Sequence, residues 1–169
     1  MKKKLLFWFF MGTLIAMGAL MGIDNVLQRG NTDFGIVSFE LAGNLEASNK
    51  IIQQWSERDL IPLAAFSLGF DYLYLVFYTI FLSLWTSVLA ERFYKKPAQM
   101  FANFIIILFV IAGILDAVEN YALLNLLGNS VTESNSALAF KCASVKFGLI
   151  GLGILYNIII SVKRLFVKD

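Results

Sequence analysis

The chain has no histidine, which removes histidine metal ligands, Ser–His nucleophile pairs and imidazole proton shuttles in one step. Its single cysteine, Cys142, allows neither an intramolecular disulfide nor a C-x-x-C redox pair, so thiol oxidoreductase chemistry is excluded as well. Charge is scarce. Only 15% of the 169 residues are Asp, Glu, Lys or Arg, and the net charge is +2. No basic stripe interleaves with aromatic residues, so no nucleic acid partner is expected. Prolines number two, Pro62 and Pro97, and each marks a boundary rather than an interior.

In place of these, 59% of the chain is hydrophobic and the mean hydropathy is +0.72. A soluble domain of this length would be about half apolar and would not hold several runs long enough to cross a bilayer. We therefore expect an all-α membrane protein, a four-transmembrane-helix bundle forming a single membrane domain over residues 1–169. The expected helices cover about 5–23, 60–90, 101–127 and 137–162. The first follows a basic start, Met1–Lys4, and runs for nineteen uncharged residues, LLFWFFMGTLIAMGALMGI. Small residues near its end would also suit a secretory signal, but its length and bulky composition favour a retained helix. In the second, Pro62 fits the first turn, with Asp59 or Ser56 as the cap. Glu91–Met100 reads as a short basic loop broken by Pro97.

Residues 24–59 are the one extended polar region, read as an extracytoplasmic segment between helices 1 and 2. Within it FGIVSFELA (Phe34–Ala42) is apolar apart from Ser38 and Glu40, and reads as strand or loop. Asn44–Trp55 carries Leu45, Ala47, Ile51, Ile52 and Trp55 on one helical face, with Trp55 suited to a membrane interface. Lys2–Lys4, Arg92, Lys95, Lys96, Lys163, Arg164 and Lys168 gather on one side of the predicted bundle, against Arg29, Lys50 and Arg58 on the other. By the positive-inside rule both termini are cytoplasmic (N-in/C-in) in a multi-pass protein of a bacterial inner membrane.

The chemistry is concentrated at a few polar positions inside the spans. GILDAVENYALLNLL (Gly113–Leu127) carries Asp116, Glu119 and Asn120 at i, i+3 and i+4, hence on one helix face. Charged groups at membrane depth are costly, and they turn inward to find partners. Asp71 in the second span shares a face with Ser67, Tyr74 and Tyr78, and Lys146 lies in the fourth. Counted from the outer ends of their spans, Asp71, Asp116, Glu119 and Lys146 fall within about one helical turn of the same height, at ~1.5 Å per residue. Lys141 lies nearer the surface and on another face. Tyr74, Tyr78, Tyr121 and Asn120 are candidate hydrogen-bond donors to this pocket, and Glu40 is a candidate fourth carboxylate if FGIVSFELA folds over the bundle mouth. Two carboxylates a turn apart compete for protons, the setting of a general acid or a proton-binding site, with Asp116 and Glu119 as the acid–base candidates. No aspartate-rich ligand motif favours a metal, and no cofactor is expected. Gly148, Gly151 and Gly153 form a small-residue stretch that permits close helix approach.

FELAG (Phe39–Gly43), FDYLYLVFY (Phe70–Tyr78) and AGILDAVENYALL (Ala112–Leu124) together resemble a group of bacterial four-span integral membrane proteins. That group has an Asp followed by a Tyr-ending run in the second span and a G-x-x-D-x-x-E-N signature in the third, here Gly113, Asp116, Glu119 and Asn120. The resemblance covers most of the chain and brings no chemistry with it. In architecture the chain is also similar to the four-helix sterol isomerase and sigma-receptor type of protein, which holds carboxylates in a bundle pocket beneath an apolar lid.

The expected function is binding of a lipid or small amphiphile in a carboxylate–lysine pocket in the outer half of the bundle. Asp71, Tyr74, Tyr78, Asn120, Lys146 and Glu40 would contact the ligand. Two alternatives stand beside it. One is a non-catalytic membrane scaffold whose buried charges fix helix register, in a homo-oligomer or with a membrane protein partner. The other is a proton or cation transporter, opposed by the apolar stretches Ile105–Ile114 and Leu149–Ile160, where only Tyr156, Asn157 and glycines interrupt.

Overall fold

The computed structural model describes residues 1–29, 34–91, 96–128 and 131–166, with residues 164–166 described by backbone alone. All regular structure among the described residues is helical: α1 (Lys2–Leu27), α2 (Ile36–Glu40), α3 (Leu45–Ser56), α4 (Ile61–Ala90), α5 (Lys96–Leu127) and α6 (Glu133–Phe166). Helices α1, α4, α5 and α6 are long and apolar enough to cross a membrane. Several ends differ from expectation. Pro97 is the second residue of α5 rather than a break in a loop, because a missing N–H costs nothing in a first turn. Neither Asp59 nor Ser56 caps α4. Its N-cap is Leu60, whose N–H donates to the Trp55 carbonyl at 2.8 Å, while Asp59 turns the chain with φ of 54°.

The long helices pack in the order α1, α4, α5, α6. Each is antiparallel to the next, since Lys2 meets Ser87, Tyr78 and Asp71 meet Asp116 and Asn120 in turn, and Lys146 and Gly153 meet Asp116 and Phe109. Lys2 fixes the sense of the first pair, its Nζ 3.0 Å from Glu91 Oε1 and donating to Ser87 Oγ at 3.2 Å. Gly113 lies against Thr79 and Gly153 against the Phe109 ring, which sets the other two pairs. Lys2–Lys4, Lys96 and Lys163 consequently lie toward one end of the bundle. The other cations expected there, Arg92, Lys95 and Lys168, fall outside the described residues, as does the Arg164 side chain. The outer faces are apolar: Phe7, Trp8, Ile107, Ile114, Leu152 and Leu155 are all exposed. Buried Asp, Glu, Lys and Asn side chains lie inside, the polarity distribution of a bundle solvated by acyl chains.

Helix α1 makes its extensive contact with α4 alone, so α1 and α6 flank a gap instead of closing the bundle. Two apolar clusters bound the interior. One joins Leu27, Phe39, Trp55, Leu68, Leu123 and Ala139 at the α2–α3 end, and the other joins Tyr78, Leu82, Ile105 and Phe109 in the opposite half. The charged layer is held between them.

FGIVSFELA is where the sequence reading needs correction. Ile36–Glu40 is a short helix, neither strand nor loop, because Asp24 at the end of α1 caps it from outside. The Ile36 N–H donates to Asp24 Oδ1 at 2.7 Å, and Gln28 Nε2 holds the other oxygen at 2.5 Å. Trp55 is fully buried rather than interfacial. Its ring meets Phe39 edge-on at 5.2 Å, and its Nε1–H donates to the Phe34 carbonyl at 3.2 Å, so both halves of its amphipathic ring are used inside.

Candidate functional site

Helix α5 presents Asp116, Glu119 and Asn120 inward, with exposures of 3%, 0% and 1%. Its opposite face, with Ile114, Val118 and Tyr121, is exposed. From α6, Lys146 Nζ donates to Asp116 Oδ1 at 2.7 Å and to Glu119 Oε1 at 2.9 Å, and Glu119 Oε2 also lies 2.9 Å away. From α4, Tyr78 Oη donates to Asp116 Oδ2 at 2.8 Å. Asp116 therefore has one oxygen held from each neighbouring helix. Asn120 Nδ2 donates to Asp71 Oδ2 at 2.6 Å, which ties α5 to α4 a second time.

The fourth carboxylate arrives from above. Glu40 on α2 is buried, and its Oε2 sits 3.6 Å from Lys146 Nζ without accepting a hydrogen bond. Burial pushes the Glu40 carboxyl above the usual glutamate range, against the opposing pull of the Lys146 ammonium. Its position depends on the segment that carries it. Asp24 caps α2 and Phe39 is wedged beside Trp55. Gly43 then turns the chain at φ of +76°, a left-handed conformation that glycine tolerates best, and Asn44 caps α3 by accepting from the Ala47 N–H at 2.9 Å. Helix α3 is tied to α6 by the Ser48–Ser136 hydroxyl pair at 2.8 Å and by Glu133, whose Oε2 accepts from the Leu45 N–H at 2.9 Å.

A cleft of about 390 Å³ opens between α1 and α6 with α4 as its floor. Met17, Leu20 and Met21 form one wall, Phe147, Ile150 and Ile154 the other, and Leu82 and Phe81 the deep apolar end. Its polar end is formed by Glu40, Asp71, Asp116 and Lys146, with Asp24 nearby.

Asp71, Asp116, Glu119, Asn120, Lys146, Tyr78 and Glu40 thus converge on one layer. Tyr74 is half-buried on the cleft wall, its ring 5.2 Å from that of Tyr78. Tyr121 does not belong with them. It is 64% exposed, because it stands one residue and so about 100° around the helix from Asn120. Lys141 is exposed and Cys142 is buried. Of the three glycines in α6, only Gly153 lies against another helix, whereas a Cβ on Gly148 or Gly151 would meet open space. The sequence reading also missed a second polar layer. Thr86 Oγ1 donates to Asn157 Oδ1 at 2.8 Å with both residues fully buried, and Asn157 Nδ2 is left without a partner. Asn157 was visible as an interruption in an apolar run, but nothing in the sequence pairs it with Thr86.

Chemically, the layer sets four carboxylates against one ammonium in surroundings that solvate neither well. Lys146 offers its protons to Asp116 and Glu119, and Tyr78 and Asn120 satisfy further oxygens. Among the described residues no group of three or more Asp, Glu or Cys side chains is arranged to hold a metal ion. No protein family, curated protein or solved structure matches this chain.

Proposed function

We propose that the protein binds a membrane-dissolved amphiphile or lipid in the cleft between α1 and α6, with the ligand's polar end at the Glu40–Asp71–Asp116–Lys146 layer. The observation that carries this reading is the cleft itself: apolar side walls that end on a buried charged cluster. A chain lies along Met17, Leu20, Ile150 and Ile154, and its head exchanges hydrogen bonds with groups that already exist. This is the usual composition of a small-molecule site, mostly apolar with a few convergent polar groups. Asp116 and Glu119, a turn apart and sharing one lysine, are the groups suited to move a proton should the bound head group react.

The same reading puts the protein in a bacterial cytoplasmic membrane with both termini inside. Support comes from the lysines gathered at the end of the bundle opposite α2 and α3. A scaffold role is the second reading. The Lys146–Asp116–Glu119 and Thr86–Asn157 contacts join neighbouring helices in one register and could serve that alone.

Native mass spectrometry of the protein extracted gently from its own membrane separates the two. A discrete added mass is expected on the wild type and absent from a folded Asp116→Asn, Glu119→Gln variant. Equal spectra from two folded proteins, neither carrying added mass, would leave the scaffold reading.

A further inference from the structure

We propose that the head group taken by this cleft is a cation: an amine carried on a single apolar chain. The inference rests on the cleft being an amphiphile site and names the class of amphiphile.

Among the described residues, the acidic ones lining the cleft are Asp24, Glu40, Asp71 and Asp116, and the only basic one is Lys146. That lysine is already committed, donating at 2.7 Å to Asp116 and at 2.9 Å to Glu119, the latter a further carboxylate behind the wall. An anionic head would find no free ammonium there. It would instead stand beside Glu40 and Asp71, and like charges in a poorly solvated site repel with little screening. Glu40 supplies a second and independent indication. It is only 8% exposed, it lines the cleft, and its Oε2 accepts no hydrogen bond. A buried carboxylate oxygen with an unused lone pair is an expensive feature unless a donor fills it. A primary amine brings three N–H donors and one positive charge, which answers both the orphan acceptor and the excess of carboxylates. Asp71, held by Asn120 at Oδ2, offers a second acceptor on the floor of the cleft. A volume of about 390 Å³ lies at the small end of ligand cavities and suits one alkyl chain rather than two.

Three probes with the same chain test this: dodecylamine, dodecanol and dodecyl phosphate, each titrated into the purified full-length protein in maltoside micelles. Retention is read by native mass spectrometry. The amine should bind about tenfold or more tightly than the alcohol, and the phosphate more weakly than either. Glu40→Gln and Asp71→Asn each preserve side-chain shape and remove one charge. Both should weaken amine binding more than alcohol binding, and so cut the amine's advantage over the alcohol. Glu40 sits on α2 outside the four long helices, so Glu40→Gln remains informative if Asp71→Asn folds poorly. Amine binding no tighter than alcohol binding, or phosphate binding tightest, would overturn the cationic head while leaving the cleft as an amphiphile site. Retention of none of the three would refute the amphiphile site itself. An advantage for the amine that survives both substitutions would show that its charge is read elsewhere, and would overturn the assignment to Glu40 and Asp71.

Discussion

Replacing Lys146 with methionine removes the one ammonium found among the described residues of the charged layer, while keeping an unbranched side chain of similar reach. The lysine side chain is 6% exposed, and those of Asp116 and Glu119 are 4% and 0% exposed, so water cannot take over the lost contacts without opening the bundle. Two charge-assisted hydrogen bonds, of 2.7 and 2.9 Å, disappear together. Removing one partner from a buried ion pair costs about 3–5 kcal/mol, most of it from the uncompensated charge left behind. Tyr78 continues to hold Asp116 Oδ2, so the greater part of the loss falls on Glu119, whose hydrogen-bond donor among the described residues is Lys146.

The double variant Lys146→Met, Glu119→Gln separates this mechanism from simple loss of packing. With one stranded charge neutralised, it should be more stable than Lys146→Met alone, so the two substitutions will not add. The assay is the fraction of protein remaining monodisperse by size-exclusion chromatography after heating in detergent, for wild type, both single variants and the double. Loss of under about 1 kcal/mol in Lys146→Met, the range of exposed ion pairs, would refute the buried-charge account. Strict additivity of the two substitutions would refute the coupling between the residues.

Asp24→Ala should free the start of α2 at a cost of about 1 kcal/mol, the value of a helix cap, seen as faster hydrogen exchange at Ile36–Glu40 with the long helices unchanged. The Glu40 carboxyl binds its proton more tightly folded than unfolded, so its contribution to stability is fully present below the ordinary glutamate range and is lost as pH rises through its raised folded value. Thermal stability should therefore fall as pH rises above the ordinary glutamate range, by an amount that Glu40→Gln removes; an identical pH profile in that variant would count against it. Gly153→Ala drives a Cβ into the Phe109 ring and should cost about 1–3 kcal/mol in a thermal unfolding series, whereas Gly148→Ala and Gly151→Ala should stay within about 0.5 kcal/mol of wild type.

The long helices were legible because their signals are local: apolar runs of spanning length, and polar residues at helical spacing. The meeting of Asp71, Asp116, Glu119 and Lys146 was legible for a related reason. A fixed rise per residue converts sequence distance from a span's end into depth, and neighbouring antiparallel helices bring equal depths together. Tyr121 went wrong although the same geometry contained the answer, since a residue adjacent to Asn120 cannot share its face. Other misreadings arose from contacts distant in sequence. The helical start of Ile36–Glu40 depends on Asp24, and the burial of Trp55 depends on Phe39 folding back over it; neither leaves a periodic trace. Thr86 and Asn157 are likewise ordinary residues until the packing of α4 against α6 makes them a pair.

The cleft and the charged layer are consequences of the same packing choice. A closed bundle would bring α1 against α6 and cover the polar groups with side chains from both. Here α1 lies along α4, and the space beside it leads to the one layer where Lys146 is outnumbered. Above that layer, the cluster of Leu27, Phe39, Trp55 and Leu123 closes the α2–α3 end of the bundle. Below it, Leu82, Phe109 and Ile105 close the interior again. The sides are different: Met17, Met21 and Phe147 line the cleft and are themselves exposed. On the proposed reading a ligand therefore moves sideways between α1 and α6, already dissolved in the membrane, and never leaves apolar surroundings with its chain. Only its head needs a polar destination. A site reached in this way would select first for solubility in the bilayer and then for charge, and the carboxylate excess with the orphan oxygen of Glu40 would decide among molecules that the cleft walls accept alike.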